Sequence, residues 1–352
     1  MSEAAAAPAP RANPDLVGHE AAEAALRQLA DSGRLPHALL LSGPRGIGKA
    51  TLAFRLARFV LAGAGEGAAL GMFGAPGNSA GEPALAVPAE SGVFRRVAAG
   101  GHADLLTVER AFDPRRKRLR SEIVVDDVRE IGAFLHLTAA EGGWRAVIID
   151  GADAMNRNAA NALLKILEEP PRRTLLLLVA HSSGKLLPTI RSRCRQMKLP
   201  PLSPATVRAL LARHAPELGE SEAAAVADLA EGSIGRALEL ANSGGVELYK
   251  TIAAMLSRRP GLDPLALHGF ADRLARVEAE ESYRAVEELL RQHLARKSLA
   301  AARAGERRQA ARWANLRDAI GNDFARADGL NLDRKHTIMS AFFAIERAAG
   351  AA

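Results

Sequence analysis

A glycine-rich loop set between an apolar run and a helical pattern constrains this chain more than any other feature. Ala38-Leu39-Leu40-Leu41 reads as a buried strand, Gly43-Pro44-Arg45-Gly46-Ile47-Gly48-Lys49 follows it, and residues 51–61 carry helical periodicity. Strand, loop, helix is the context in which this spacing cradles phosphate. Gly43, Gly46 and Gly48 let backbone N–H groups close around the oxygens, the helix N-terminus adds partial positive charge, and Lys49 reaches the outer phosphates. The pattern favours a nucleotide, ATP or ADP, over a vestigial loop.

Residues 145–194 carry the other half of such a unit. Ala146-Val147-Ile148-Ile149 ends in Asp150, an acid at the carboxyl end of an expected parallel strand, where open α/β sheets bind ligands. Residues 156–169 read as a helix with Leu163, Leu164, Ile166 and Leu167 on its apolar face, stopped by Pro170-Pro171. Another apolar strand follows at 174–180, and the stretch closes on Thr189-Ile190-Arg191-Ser192-Arg193-Cys194.

At 352 residues the chain exceeds one ordinary core, and its 48% of hydrophobic residues can fill two or three. Lys and Arg total 47 against 40 Asp and Glu, a balance of +7. Read as thinly spread, that excess permits contact with nucleic acid without establishing it. One cysteine excludes an internal disulfide framework and a thiolate zinc cage, and nine histidines show no metal-ligand spacing. No unbroken run of 18 apolar residues points to a membrane span, and the alanine-rich start lacks the blocks of a signal peptide, so a cytoplasmic location is expected.

Residues 1–14, rich in Ala and Pro, are expected to form a disordered tail, 15–200 the α/β domain, 201–245 a small helical lid and 246–352 a helical oligomerisation domain. Within the first domain a helix is expected over 20–29, and the Gly/Ala/Pro-rich interval 62–101 reads as a long loop or insertion outside the core. Residues 105–108 and 123–125 read as strands around the basic turn Arg115-Arg116-Lys117-Arg118-Leu119-Arg120, a solvated hairpin tip in preference to a phosphate contact. Asp126 or Asp127 can cap the next helix, whose Val128, Ile131 and Leu135 face the core. Beyond Pro200-Pro201 the pattern is helical: 203–211, 221–230 and 232–240, a hinge at Gly244-Gly245, then amphipathic helices including 283–299 and 336–348.

The phosphate loop, Asn156-Arg157-Asn158-Ala159-Ala160-Asn161-Ala162-Leu163-Leu164-Lys165, Leu167-Glu168-Glu169-Pro170-Pro171 and Ser192-Arg193-Cys194 together resemble the bacterial clamp-loader branch of the AAA+ proteins, over residues 17–240. Gly142-Gly143-Trp144-Arg145 fits the same pattern. The resemblance implies a RecA-like AAA+ P-loop domain, a small helical lid and an all-α collar-type domain. It also implies a place in the machine that opens a sliding clamp and sets it on primed DNA. Implied partners are the tau/gamma and delta subunits and, through the complex, the clamp and DNA.

Within the resemblance Arg193 is an arginine finger that reaches a neighbouring subunit's ATP site. Arg236, after Gly235, is the lid arginine that touches a γ-phosphate, with a plain surface arginine as the alternative. Asp150 helps to position Mg²⁺ when nucleotide is bound, or else caps the following turn.

Three departures favour a stator over the tau/gamma motor of the DNA polymerase III loader. Ala50 stands where phosphate loops carry the Ser or Thr that holds Mg²⁺, and Thr51 comes one residue later. Gly151 stands where a motor has the glutamate that activates water, with Asp153 on another face. The chain also ends soon after its helical domain. Intrinsic ATP hydrolysis is thus expected to be weak or absent, and no set of carboxylates suits polymerase chemistry. The family usually carries a four-cysteine zinc module where this chain has residues 62–101, which hold no cysteine, so no zinc is expected.

Other residues take plainer readings. Cys194 is a small buried residue, and Trp144 and Trp313 are core or interface anchors instead of base-stacking platforms, aromatics being 4% of the chain. Two rivals stay open: a motor in which Thr51 and Asp153 replace the missing groups, and a stand-alone AAA+ DNA-binding helicase loader or repair factor using Arg115 to Arg120.

Overall fold

The computed structural model describes residues 8–63, 84–113, 118–141, 143–242, 245–257, 261–276 and 279–350. It divides into two compact units, one of residues 1–214 with 230–236, the other of residues 215–229 with 237–352.

In the first unit, helix α1 (Glu20–Asp31) leads to strand β1 (Ala38–Ser42), the glycine-rich loop and α2 (Lys49–Leu61). Then come α3 (Gly92–Ala98), β2 (Leu105–Val108), a hairpin of β3 (Phe112–Asp113) and β4 (Arg118–Leu119), and α4 (Val125–His136). The chain continues through β5 (Arg145–Asp150), α5 (Arg157–Glu168), β6 (Thr174–Ala180), α6 (Pro188–Arg193), β7 (Arg195–Lys198) and α7 (Pro204–His214). Five strands form one parallel sheet in the order β2-β5-β6-β1-β7. Both faces are covered, which is why β1, β5 and β6 read as continuous apolar runs. Successive residues point to opposite faces. Ile148 and Leu177 join a core with α1 and α2, whereas Val147, Ile149 and Leu178 join one with α4, α5 and α6. This α/β core followed by an all-α region is the fold class expected from the sequence.

Three local expectations need correction. Residues 10–12 form a 3₁₀ turn where a disordered tail was expected. The buried guanidinium of Arg58 donates to the carbonyls of Arg11 and Asn13, and that of Arg55, paired with Glu23 at 2.5 Å, donates to Pro14. Satisfying two buried cations thus recruits a strap whose own composition would leave it disordered.

The interval 62–101 is not wholly outside the core: Leu85 is buried in it, and α3, capped by Ser91, buries Phe94 and Val97. Residues 64–83, on which the rest of the insertion and zinc-module expectations fall, lie outside the described residues.

Residues 123–125 are not a strand. Ile123 makes one bridge to Met155 and Val125 already begins α4, with Asp127 accepting from the Val124 N–H at 2.8 Å from inside the first turn. The β-branched pair favours an extended strand, but a helix N-terminus satisfies the same backbone. The basic residues 114–117 of the hairpin tip lie outside the described residues, as does Gly244 of the expected hinge.

The second unit contains α8 (Glu220–Leu229), most of α9 (Ile234–Asn242), α10 (Gly245–Ser257), α11 (Pro264–Leu274), α12 (Glu280–Arg303), α13 (Arg307–Leu330) and α14 (Arg334–Gly350). Tyr283, Trp313, Phe324 and Phe342 are buried in it, and Phe270 meets Phe342 edge to face at 5.9 Å. Among the described residues no helix is long and apolar enough to cross a membrane.

Charge is locally uneven. Between Arg291 and Arg317 there are eight Arg and Lys residues against one acid, Glu306. That local balance equals the +7 of the whole chain. Residues 185–216 carry as large a local balance, with seven Arg and Lys residues and no acid, so cationic stretches recur along the chain and the joint of α12 and α13 is one of them.

Candidate functional site

The loop after β1 stands where the sheet's connections diverge. From β1 the chain passes to α2 on one face, and from neighbouring β6 it passes to α6 on the other. The carboxyl ends of the two strands thus open a crevice, as at the switch points of open α/β sheets. Val179 of β6 pairs with Asp150, and Ala180 pairs with Ser42, the residue before Gly43.

Backbone sterics fix the loop. Gly46 has φ +72°, and a Cβ there would lie 2.4 Å from Ser233 Oγ. The Gly235 N–H donates to the Gly46 carbonyl at 2.9 Å, so the entry to α9 is joined to the loop main chain. Ser233 caps that helix by accepting from the Arg236 N–H at 3.1 Å. On the other side of the loop, buried His19 donates from Nε2 to the Ile47 carbonyl at 2.7 Å. Gly43, at φ +151°, leaves 2.5 Å between a hypothetical Cβ and the Leu199 carbonyl oxygen, and Gly48, at φ +100°, precedes the first residue of α2.

Lys49 opens α2 and is 3% exposed, and its ammonium donates to the Pro44 carbonyl at 2.5 Å. Burial pulls its pKa down to about 8, with Arg45 adding to the fall and Asp150 and Asp153 opposing it. Asp150 moves the other way: burial and then Glu109 raise it, against the pull of Lys49. Thr51 is buried one position beyond Ala50, about 100° further round the helix. Asp153 has a structural task, its two carboxylate oxygens each accepting at 3.0 Å from the N–H groups of His181 and Ser182.

His181 is a site residue that the sequence reading missed, and His19 is another. Burial and then Lys49 hold the His181 imidazole below its ordinary pKa. Its available signal was a polar residue immediately after the apolar run 174–180. Lys49, Asp150, Asp153, His181 and Arg45 therefore share one electrostatic neighbourhood.

Arg236 is half-buried at the start of α9, with its guanidinium 3.9 Å from Glu231. Arg193 has different company: as the last residue of α6 it pairs with Glu168 at 2.6 Å, 37% exposed, and donates to the Thr189 carbonyl. Cys194 beside it is buried, which lifts its thiol to about 11 and leaves it protonated.

The loop amides, Lys49 and the helix N-terminus suit a phosphate chain, and Asp150 offers one carboxylate for a cation. Ala50 offers no oxygen where a second Mg²⁺ ligand would stand. Among the described residues no cluster of three or more His, Cys, Asp or Glu side chains could hold a metal ion.

Residues 81–203 match the family model described as DNA polymerase III, delta subunit. The delta' subunit of DNA polymerase III from Pseudomonas aeruginosa is 39% identical over 190 residues, 54% of this chain and 51% of that protein. The gamma/tau subunit of Mycobacterium tuberculosis is 30% identical over 287 residues, 78% of this chain and 45% of that one. The chain thus spans about half the length of these curated relatives. A DNA polymerase III gamma subunit-related protein from Thermotoga maritima superposes with a TM-score of 0.46 at 18% identity, covering 93% of this chain and 99% of that one, too loosely to bear on function. The family match spans the very segment that contributes Asp150, His181 and Arg193, and two kinds of loader subunit align across it and beyond: the chain belongs to the bacterial DNA polymerase III clamp-loader family.

Proposed function

We propose that this chain is a delta-prime-type stator of the clamp loader, which lends Arg193 to a neighbouring ATPase subunit and hydrolyses little or no ATP itself. The observation that carries this reading is the employment of Asp153. It is the next acid after Asp150, and both its oxygens hold backbone amides at the end of β6. With Gly151 before it and Ala50 after Lys49, the two positions at which the resemblance expects a motor's water-activating base and second magnesium ligand carry no side-chain oxygen. Nucleotide bound at Lys49 would serve structure or regulation, with Asp150 and Arg236 beside its phosphates.

Arg193 meets the needs of a finger: it ends a short helix, is partly exposed, and is held by one exposed acid. A guanidinium that stabilises charge on a transferring phosphoryl group contributes roughly a thousandfold or more in rate. Its partners in this reading are tau/gamma and delta subunits and, through them, the sliding clamp and primed DNA. The test is ATP turnover by a reconstituted loader carrying wild-type chain, Arg193→Ala or Lys49→Ala, after assembly of each has been verified. Loss with Arg193→Ala alone supports the stator.

A second reading, a tau/gamma-type motor, is favoured by the 287-residue match to a gamma/tau subunit and by the complete loop around Lys49. It requires turnover by the isolated chain that disappears in Lys49→Ala.

A further inference from the structure

The joint between α12 and α13 gathers positive charge that the fold does not use. Among the cations of this pair, several have structural work. Arg296 donates to the Asp228 carbonyl at 3.0 Å, Arg312 to the Arg347 carbonyl at 3.2 Å, and Arg291 and Arg317 pair with acids on their own helices. Lys297, Arg303, Arg307 and Arg308 are exposed instead. Lys297 lies 6.0 Å from the Trp313 ring, and no ion pair engages Arg303, Arg307 or Arg308 among the described residues.

Gly305, at φ +82°, turns the chain between the last residue of α12, Arg303, and the first two residues of α13, Arg307 and Arg308. Cations in the first turn oppose the helix dipole, which favours acids there. Folding therefore gains nothing from the charges of Arg307 and Arg308, whereas Arg303 ends α12, where a cation suits the dipole.

We propose that this joint is a docking surface for the sugar-phosphate backbone of duplex DNA. Three features select that partner. The exposed cations are mainly arginines, whose planar fork matches phosphate. Their sequence neighbours are mostly alanines with Gln309, one acid, Glu306, and one exposed leucine, Leu299, so a protein partner would find little apolar surface to bury. The one aromatic residue between 291 and 317, Trp313, is buried, so no platform exists for stacking the bases of a single strand. Contact through phosphates alone carries no sequence preference, which suits a surface that meets any primed site. This inference goes beyond the stator reading and uses none of its residues.

The test is fluorescence anisotropy of a labelled duplex of about 30 base pairs with the full-length chain, over roughly 50 to 200 mM salt. Replacing all three arginines, Arg303→Ala with Arg307→Ala and Arg308→Ala, is expected to lower the slope of log affinity against log salt by about 2 to 3 and to weaken low-salt binding about tenfold or more. The three Arg→Lys changes should keep the slope, and circular dichroism should show the helices intact in both variants. An unchanged slope in the alanine variant, or no duplex binding by wild type, overturns the proposal. So does polyglutamate bound more tightly than duplex and lost with the same three arginines, since that result identifies an acidic protein segment as the occupant.

Discussion

Arg193 Nη2 lies 2.6 Å from Glu168 Oε1, which ties the last residue of α6 to the last residue of α5. Both side chains are well exposed, at 37% and 49%, so water screens the pair and its net contribution to stability is small. Glu168 orients the guanidinium without trapping it, the behaviour a residue needs if it is to be lent to another subunit.

Glu168→Gln should therefore shift the unfolding free energy of the isolated chain by no more than about 1 kcal/mol. In a reconstituted loader it should leave ATP turnover near wild type, while Arg193→Ala and Arg193→Lys both depress it, because an ammonium cannot replace the planar fork. Turnover that survives Arg193→Ala would remove the finger from the account.

Lys49 should make phosphate binding depend on pH. With a free-state pKa near 8, the ammonium is present below that value, and anion binding raises its pKa further. Above pH 8 binding must take up a proton, so ADP affinity should fall with rising pH, by up to about tenfold per unit. Calorimetry in buffers of different ionisation enthalpy would detect the uptake. Lys49→Met should bind weakly with no such slope between neutral pH and mildly alkaline conditions, and an identical slope in that variant would shift the effect to another group.

Gly46→Ala should be costly for two reasons acting together: a positive φ and a Cβ 2.4 Å from Ser233 Oγ. A loss of about 1–3 kcal/mol is expected, with weakened nucleotide binding. Adding Ser233→Ala would relieve the steric part but not the backbone part, so rescue should be partial. Complete rescue would show that φ imposes no strain here. Denaturant titration of the single and double variants separates the two terms.

Asp153→Ala removes the acceptor of two exposed backbone N–H groups just after β6, which water can then solvate, a cost of about 0.5–1.5 kcal/mol. The stator reading expects this loss of stability and no catalytic loss, since there is little turnover to lose. Robust ATPase activity in the isolated wild-type chain, abolished by Asp153→Ala with stability unchanged, would instead make Asp153 a catalytic base and favour the motor.

Some of this was legible locally. Strands β1, β5 and β6 announce themselves because a doubly covered strand must be apolar at every position, and α5 is bounded by its Asn156 cap and Pro170-Pro171. The phosphate loop is equally local, since glycine spacing, strand and helix all fall within 24 consecutive residues, 38–61. By contrast, nothing in residues 10–14 foretells that Arg55 and Arg58, more than 40 positions later, will hold them in place. Short α3 was hidden by the Gly, Ala and Pro around it, and the paired valines at 124–125 followed their β propensity only in the sequence reading.

The sequence by itself determined β1, β5, β6 and α5 of the α/β core and the glycine-rich loop that ends in Lys49, because each depends on residue type at short spacing. Tertiary structure alone decided which distant side chains meet. Chain folding put His181 within electrostatic reach of Lys49, a main-chain bond joined Gly235 to Gly46, and the carboxylate of Asp153 was consumed by two amides. Those outcomes depend on long-range closure of the chain, whose free energy comes from burying whole faces together, a quantity no short stretch of residues contains.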